Sequence, residues 1–356
     1  MRILHVITSL RTGGAEKLMV DLLPRMKAMG HDVALCVFDG VRTPFYAELE
    51  SQGVQVIPLG HSVYSPFHIG KLVKWMHKYD IVHSHNTACQ YFVAIASIFA
   101  QSRIFTTEHN TSNRRRGSRM WRLLDRWMYR RYDEIICISE ETRTHLLEFI
   151  DASTCVYADK TCVIHNGIDV ASYMYSELHA HPKSDVKTIL MVSAFRWEKD
   201  QKTVIRALKQ LGDKFRVLFV GGGDATLIRE CKSLAEELGV KSKVEFLGVR
   251  SDVKELMHQA NVLVQSSHVD GFCLAAVEGM ASGLPVVVSD IPGVGDIVRG
   301  AGILFPHEDA KGLADIIRRL CEDDVYAQQV AVRCLARAKM FDISVMVQNY
   351  LYLYQQ

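Results

Sequence analysis

MRILHVITSLRTGGAEKLMVDLLPRMKAMGHDVALCVF (Met1–Phe38) holds one complete structural unit. Ile3–Thr8 is a short apolar run, Ala15–Met29 carries apolar residues at helical spacing, and Asp32–Phe38 is a second apolar run. A strand, a glycine turn, a helix and another strand in this order predict a parallel sheet covered by helices. The alternation continues. Val54–Pro58, Ile81–Ser84, Arg103–Thr107, Glu134–Ile138 and Thr161–Ile164 extend the first series, with Ser65–Lys78 among its helices. A second series comprises Thr188–Val192, Phe215–Val220, Lys243–Leu247, Val262–Gln265, Pro285–Ser289 and Gly302–Phe305, separated by helices such as Thr203–Leu211 and Ala225–Leu238. The polar stretch LHAHPKSD (Leu178–Asp185) divides the two. The expected fold is α/β, with two Rossmann-like doubly wound domains, 1–175 and 184–340, facing a cleft and binding ligands beyond the carboxyl ends of their strands. Residues 341–356 are expected to form a helix packing across the junction.

The 356 residues suit two domains, and 48% apolar with 23% charged content excludes disordered, collagenous and coiled-coil chains. The net charge of +2 argues against a globally basic nucleic-acid binder. The nine cysteines include no C-x-x-C pair, and several sit in apolar runs, so buried free thiols in a reducing cytoplasm are expected. The N-terminus reads as a first strand, not a signal peptide. The longest lipid-like stretch, Tyr91–Ala100, is about half of what a spanning helix needs.

Four stretches carry candidate chemistry. TGGAEK (Thr12–Lys17) puts Gly13 and Gly14 at a helix start, where backbone N–H groups favour an anion. It is not the G-x-G-x-x-G of a dinucleotide site, which disfavours a nicotinamide dehydrogenase. VGGGD (Val220–Asp224) repeats the strand–glycine–helix pattern. AFRWEKDQKT (Ala194–Thr203) places Arg196 and Lys199 at a strand end, suited to pyrophosphate. SSHVDGFCLAAVEGMASGLPVVVSD (Ser266–Asp290) sets Glu278 eight residues after Asp270. With a helix starting near Phe272, Glu278 falls two turns in, amid small residues that imply a close approach. A carboxylate there needs hydrogen-bond donors, and sugar or ribose hydroxyls are natural ones.

Together these pieces resemble the retaining nucleotide-sugar glycosyltransferases of family 4, which have the GT-B fold. The resemblance also rests on Thr107–His109, Cys137–Glu140, Ile164–Asp169, Glu198–Asp200 and Phe246–Gly248. It implies a donor site in the second domain and an acceptor site in the first. It assigns ribose hydroxyls to Glu278 and the donor-sugar region to Asp270, one methylene shorter than the family's glutamate. Gly271, Phe272, Cys273 and Leu274 correspond to the loop lining sugar and phosphates, and Gly248 and Arg250 lie in the region near the base. His109 matches a histidine that reaches the transferred sugar, and Gly14 would offer its N–H to the diphosphate. The family's phosphate-binding arginine position is Ala194 here, so Arg196 is expected to take its role beside Lys199. No D-x-D stands at a strand end, and neither cofactor nor metal is expected. The donor is a UDP- or GDP-sugar and the acceptor a glycan or lipid-linked molecule of surface polysaccharide synthesis. Two other readings use the same residues: a nucleotide-sugar epimerase of this fold, or a nucleotide-sugar-binding partner impaired by Asp270 and Ala194.

RRRGSRMWRLLDRWMYRR (Arg114–Arg131) contains eight arginines and one acid, Asp125. On a helix Arg119, Arg122, Arg126 and Arg130 share one sector, and Met120, Trp121, Leu123, Leu124, Trp127 and Met128 fill another. The segment Arg114, Arg115, Arg116, Arg119, Trp121, Arg122, Arg126 and Trp127 is expected to meet either anionic lipid or the phosphates of a lipid-diphosphate acceptor. The expected location is the cytoplasm, peripheral on the inner face of the membrane. The plain alternative is a helix whose apolar side is core.

Overall fold

The computed structural model describes residues 1–11, 13–60, 62–109, 119–150, 155–174 and 185–356. Thr12, the arginines Arg114, Arg115 and Arg116, and most of the Leu178–Asp185 stretch lie outside these residues.

The chain divides into two compact units: Met1–Gly167 with Ile343–Gln356, and Ile168–Asp342. In the first unit seven strands, β1 (Arg2–Ile7), β2 (Asp32–Val37), β3 (Gln55–Pro58), β4 (Ile81–His85), β5 (Arg103–Glu108), β6 (Glu134–Cys137) and β7 (Thr161–Val163), lie in the order 3-2-1-4-5-6-7. In the second, β8 (Lys187–Val192), β9 (Phe215–Val220), β10 (Val244–Gly248), β11 (Val262–Gln265), β12 (Val286–Ser289) and β13 (Ile303–Phe305) lie in the order 10-9-8-11-12-13. All pairings are parallel. Parallel strands are covered on both faces, which is why they read as continuous apolar runs. On β1, Ile3 and Ile7 enter one core, while Leu4 and Val6 enter the other.

Two boundaries differ from the sequence reading. The division falls after Gly167, so the short helix Val170–Tyr173 belongs to the second unit. The final helix, Ile343–Gln355, packs Ile343, Met346, Val347, Tyr350 and Leu351 into the core of the first unit. Amphipathic spacing marks a buried face but carries no information about which sheet receives it. Among the described residues eight cysteines are free, and all but half-buried Cys162 are buried.

Candidate active site

Strand order reverses between β8 and β11, the place where doubly wound sheets hold ligands. The loops after these two strands are stitched together by backbone bonds. His268 N–H donates to the Glu198 carbonyl at 2.8 Å, and Asp200 N–H to that of Ser266 at 3.0 Å. Asp200 caps the Gln201–Leu211 helix by accepting from Thr203 N–H at 3.1 Å, and accepts from Ser266 Oγ at 3.1 Å. This clamp brings Lys199 Nζ onto Asp270 Oδ2, with side-chain exposures of only 20% and 9%. Burial, the largest single influence, would lower the ammonium pKa, but Asp270 together with Cys273 and Glu198 outweighs it, and Lys199 is held above the ordinary lysine value. The lysine therefore carries a full charge at the strand ends.

After Asp270 the chain passes half-buried Gly271 and buried Phe272, which meets Phe341 edge to face at 5.6 Å. Burial and the nearby Asp270 push the Cys273 thiol up, so it is neutral and no nucleophile. The helix begins at Leu274, two residues later than the sequence suggested. Glu278 thus sits little more than one turn in, where its Oε1 accepts from the Tyr173 hydroxyl at 2.8 Å. Tyr173 was not foreseen, because it lies in a stretch read as part of the first domain. The small residues around Glu278 also have a different cause. A Cβ on Gly279 would lie 2.8 Å from Leu263 Cδ2, so the helix rests directly on β11.

The glycines after β9 are explained by packing. Gly221 and Gly223 have φ of +139° and +149°, and a Cβ on either would lie 2.1 Å and 2.3 Å from the carbonyl oxygens of Ser193 and Phe195. They let this turn lie against the Ala194–Arg196 loop. Arg196 is exposed, and its guanidinium has no acceptor among the described residues. Gly248 ends β10 with φ +67°. Arg250 is engaged with Asp252, Nε to Oδ1 at 2.7 Å, on an exposed turn.

In the first unit Gly13 precedes the Gly14–Ala28 helix, with Glu16 in its first turn. His109 follows β5, half-buried, its Nε2 3.2 Å from His85 Nδ1, and burial lowers it to about 4. The apolar sector of the Arg119–Arg131 helix is divided between core and surface. Met128, Tyr129 and Asp125 are buried, and Asp125 accepts from the Tyr91 hydroxyl. Met120, Leu123, Leu124 and Trp127 are exposed at 64%, 65%, 42% and 41%. Most of its apolar sector therefore faces out instead of into the core, while Trp121, Arg122 and Arg126 are half-buried. Among the described residues no helix is long and apolar enough to cross a membrane.

Two doubly wound parallel sheets, with charged residues at the strand-order reversal of the second, define a GT-B protein. The glycosyltransferase family 4 pattern matches residues 12–172, and that of the glycosyl transferases group 1 matches residues 177–338. The chain belongs to these glycosyltransferases. It is 30% identical over 210 residues to N,N'-diacetylbacillosaminyl-diphospho-undecaprenol alpha-1,3-N-acetylgalactosaminyltransferase of Campylobacter jejuni, covering 56% of this chain and just over half, 55%, of that relative. It is 25% identical over 361 residues to phosphatidyl-myo-inositol mannosyltransferase of Mycolicibacterium smegmatis, covering 96% of this chain and 90% of the relative. The crystal structure of HepE from Anabaena in complex with UDP matches its fold with a TM-score of 0.87 at 24% identity, over 100% of both chains. These likenesses favour neither the epimerase nor the impaired binding partner.

Proposed function

We propose that the chain is a retaining glycosyltransferase that moves a hexose or N-acetylhexosamine from a UDP- or GDP-sugar to a glycan or lipid-linked acceptor in surface polysaccharide synthesis. The observation that carries this reading is the sequestered Lys199–Asp270 pair, at the carboxyl edge of the six-stranded sheet, with Glu278 held by Tyr173 in the helix that follows. Glu278 accepts the ribose hydroxyls. Lys199, Arg196 and backbone N–H groups of 271–274 take up charge on the departing diphosphate. Asp270 stands beside the donor sugar, and His109 meets the transferred sugar. The acceptor hydroxyl attacks from the face the phosphate leaves, its proton passing to a donor phosphate oxygen, with no protein nucleophile. The proposal assigns no resident metal. In support, the Campylobacter relative is named for N-acetylgalactosamine transfer to a diphospho-undecaprenol-linked sugar, and HepE has been crystallised with UDP and with UDP-glucose.

A thermal-shift comparison of UDP, GDP and their sugars tests the reading. The matching nucleotide raises Tm, since ligand at 100 times its Kd stabilises by about 2.7 kcal/mol. No shift with any nucleoside diphosphate overturns it, and a donor changed to its epimer without acceptor points to the epimerase.

The outward apolar row on the Arg119–Arg131 helix supports peripheral contact with anionic lipid on the cytoplasmic face, next to a lipid-diphosphate acceptor. Each arginine near such a surface contributes about 1 kcal/mol. The protein is expected to sediment with phosphatidylglycerol-containing vesicles at low salt, and Leu123→Glu with Trp127→Glu to weaken binding by about tenfold or more. No sedimentation at low salt rejects the membrane contact.

A further inference from the structure

Histidines gather where strand order reverses in the first unit. His5 of β1 is register partner to His83 of β4, and the two-residue period of a strand puts His85 on the same face as His83. His5 Nδ1 lies 2.9 Å from His85 Nε2, with the two rings 14° from parallel. His85 Nδ1 lies 3.2 Å from His109 Nε2. His83 stacks on His85 at 4.3 Å, but its own nitrogens are taken, Nε2 by Thr107 Oγ1 at 2.7 Å and Nδ1 by the Tyr354 hydroxyl. The hydrogen-bonded run is therefore His5–His85–His109. Its first two members are fully buried, and His109 alone is half-buried.

Burial lowers His5 to about 3, His109 to about 4, and His85 well below the ordinary value. At neutral pH the run holds three protons on six nitrogens. A neutral His85 has one N–H, so it donates to one neighbour and accepts from the other. Both links must then point the same way. Pointing inward, His109 Nε2–H donates to His85 and His85 Nε2–H to His5, which forces the His5 proton onto Nε2. That atom is buried with no partner among the described residues, and orphaned buried N–H groups are rare. Pointing outward, His5 Nδ1–H donates to His85, His85 Nδ1–H donates to His109, and His5 Nε2 is left with only a lone pair.

We propose that His85, held by His5, is a positioning residue that locks His109 in the Nδ1–H tautomer, so that its ring offers a donor and not an acceptor to a hydroxyl oxygen of the transferred sugar. The sugar contact rests on the transferase reading above; the tautomer does not. Free imidazole side chains in water favour Nε2–H, so the lock reverses the ordinary preference.

Two-bond proton–nitrogen spectra of the full chain, with His109 assigned from a His109→Gln sample, read the tautomer directly. Protonated Nδ1 and bare Nε2 at pH 7.5 are expected, and Nε2–H overturns the inference even if sugar transfer is intact. His85→Leu should return His109 to Nε2–H and lower kcat roughly tenfold with donor KM unchanged, the size of one lost hydrogen bond. His85→Asn, whose amide N–H can stand in for Nδ1–H, should restore both readouts. An unchanged kcat in His85→Leu with the tautomer flipped rejects the sugar-facing role. If His85→Leu does not fold, the native spectrum and His85→Asn decide alone.

Discussion

Replacing Lys199 by alanine is expected to lower kcat/KM by about 10²–10³-fold, the effect of removing one donor that stabilises developing charge. The same change costs roughly 3 kcal/mol of stability, at the low end for breaking a buried pair, because it leaves the Asp270 carboxylate largely buried and unpaired. Turnover and denaturant unfolding measured together separate the two effects. Lys199→Met with Asp270→Leu should recover much of the stability, since an apolar pair of similar size removes the stranded charge, yet recover none of the turnover. A Lys199→Ala enzyme that turns over like the native chain would remove the phosphate role. Arg196→Ala belongs in the same experiment. Its side chain is exposed and pairs with nothing among the described residues, so Tm should hold while turnover falls about tenfold. Near-normal turnover would show that Arg196 does not replace the arginine missing at Ala194.

Glu278→Gln is expected to weaken binding of the nucleoside diphosphate by about 10- to 100-fold, the 1.5–3 kcal/mol of hydrogen bonds to a charged acceptor. Its fold should survive, because glutamine keeps the length and an oxygen that can accept from the Tyr173 hydroxyl. The ribose assignment has a sharper check in the 2′-deoxy nucleotide. The native chain should bind it more weakly, and Glu278→Gln should then cost less than it does with the ribonucleotide, since the 2′ hydrogen bond is already gone and only the 3′ one is left to weaken. Independent, additive losses would place Glu278 elsewhere on the ligand. Tyr173→Phe removes one hydrogen bond to the carboxylate without removing the carboxylate and should cost less, about threefold to tenfold in affinity.

Much of this site was legible in the chain. Lys199, Asp270 and Glu278 each stand just beyond a strand end or in the helix that follows one, which is enough to nominate them singly; the contact of Lys199 with Asp270, 71 residues apart, is tertiary. Tyr173 could not be nominated: 105 residues separate it from Glu278, and only the unit boundary after Gly167 brings them into one body. VGGGD repeats the strand–glycine–helix pattern of a ligand turn, but the positive φ of Gly221 and Gly223 answers to the carbonyls of Ser193 and Phe195. In the arginine helix the sequence showed an amphipathic pattern, but Met128 turned inward while Met120, Leu123, Leu124 and Trp127 turned out. A helical wheel ranks faces by composition, whereas burial depends on which neighbours arrive, here Tyr91 at Asp125.

By itself the amino-acid order determined two parallel sheets, since apolar runs buried on both faces and separated by amphipathic helices have few other solutions. It also determined which residues follow each strand, and so the chemistry available at each sheet edge. Only the tertiary structure decided that the last helix returns to the first sheet, that Tyr173 holds Glu278, and that His5, His85 and His109 share one line of protons. Those contacts join residues far apart in the chain. They depend on strand order and register, which local propensity does not encode.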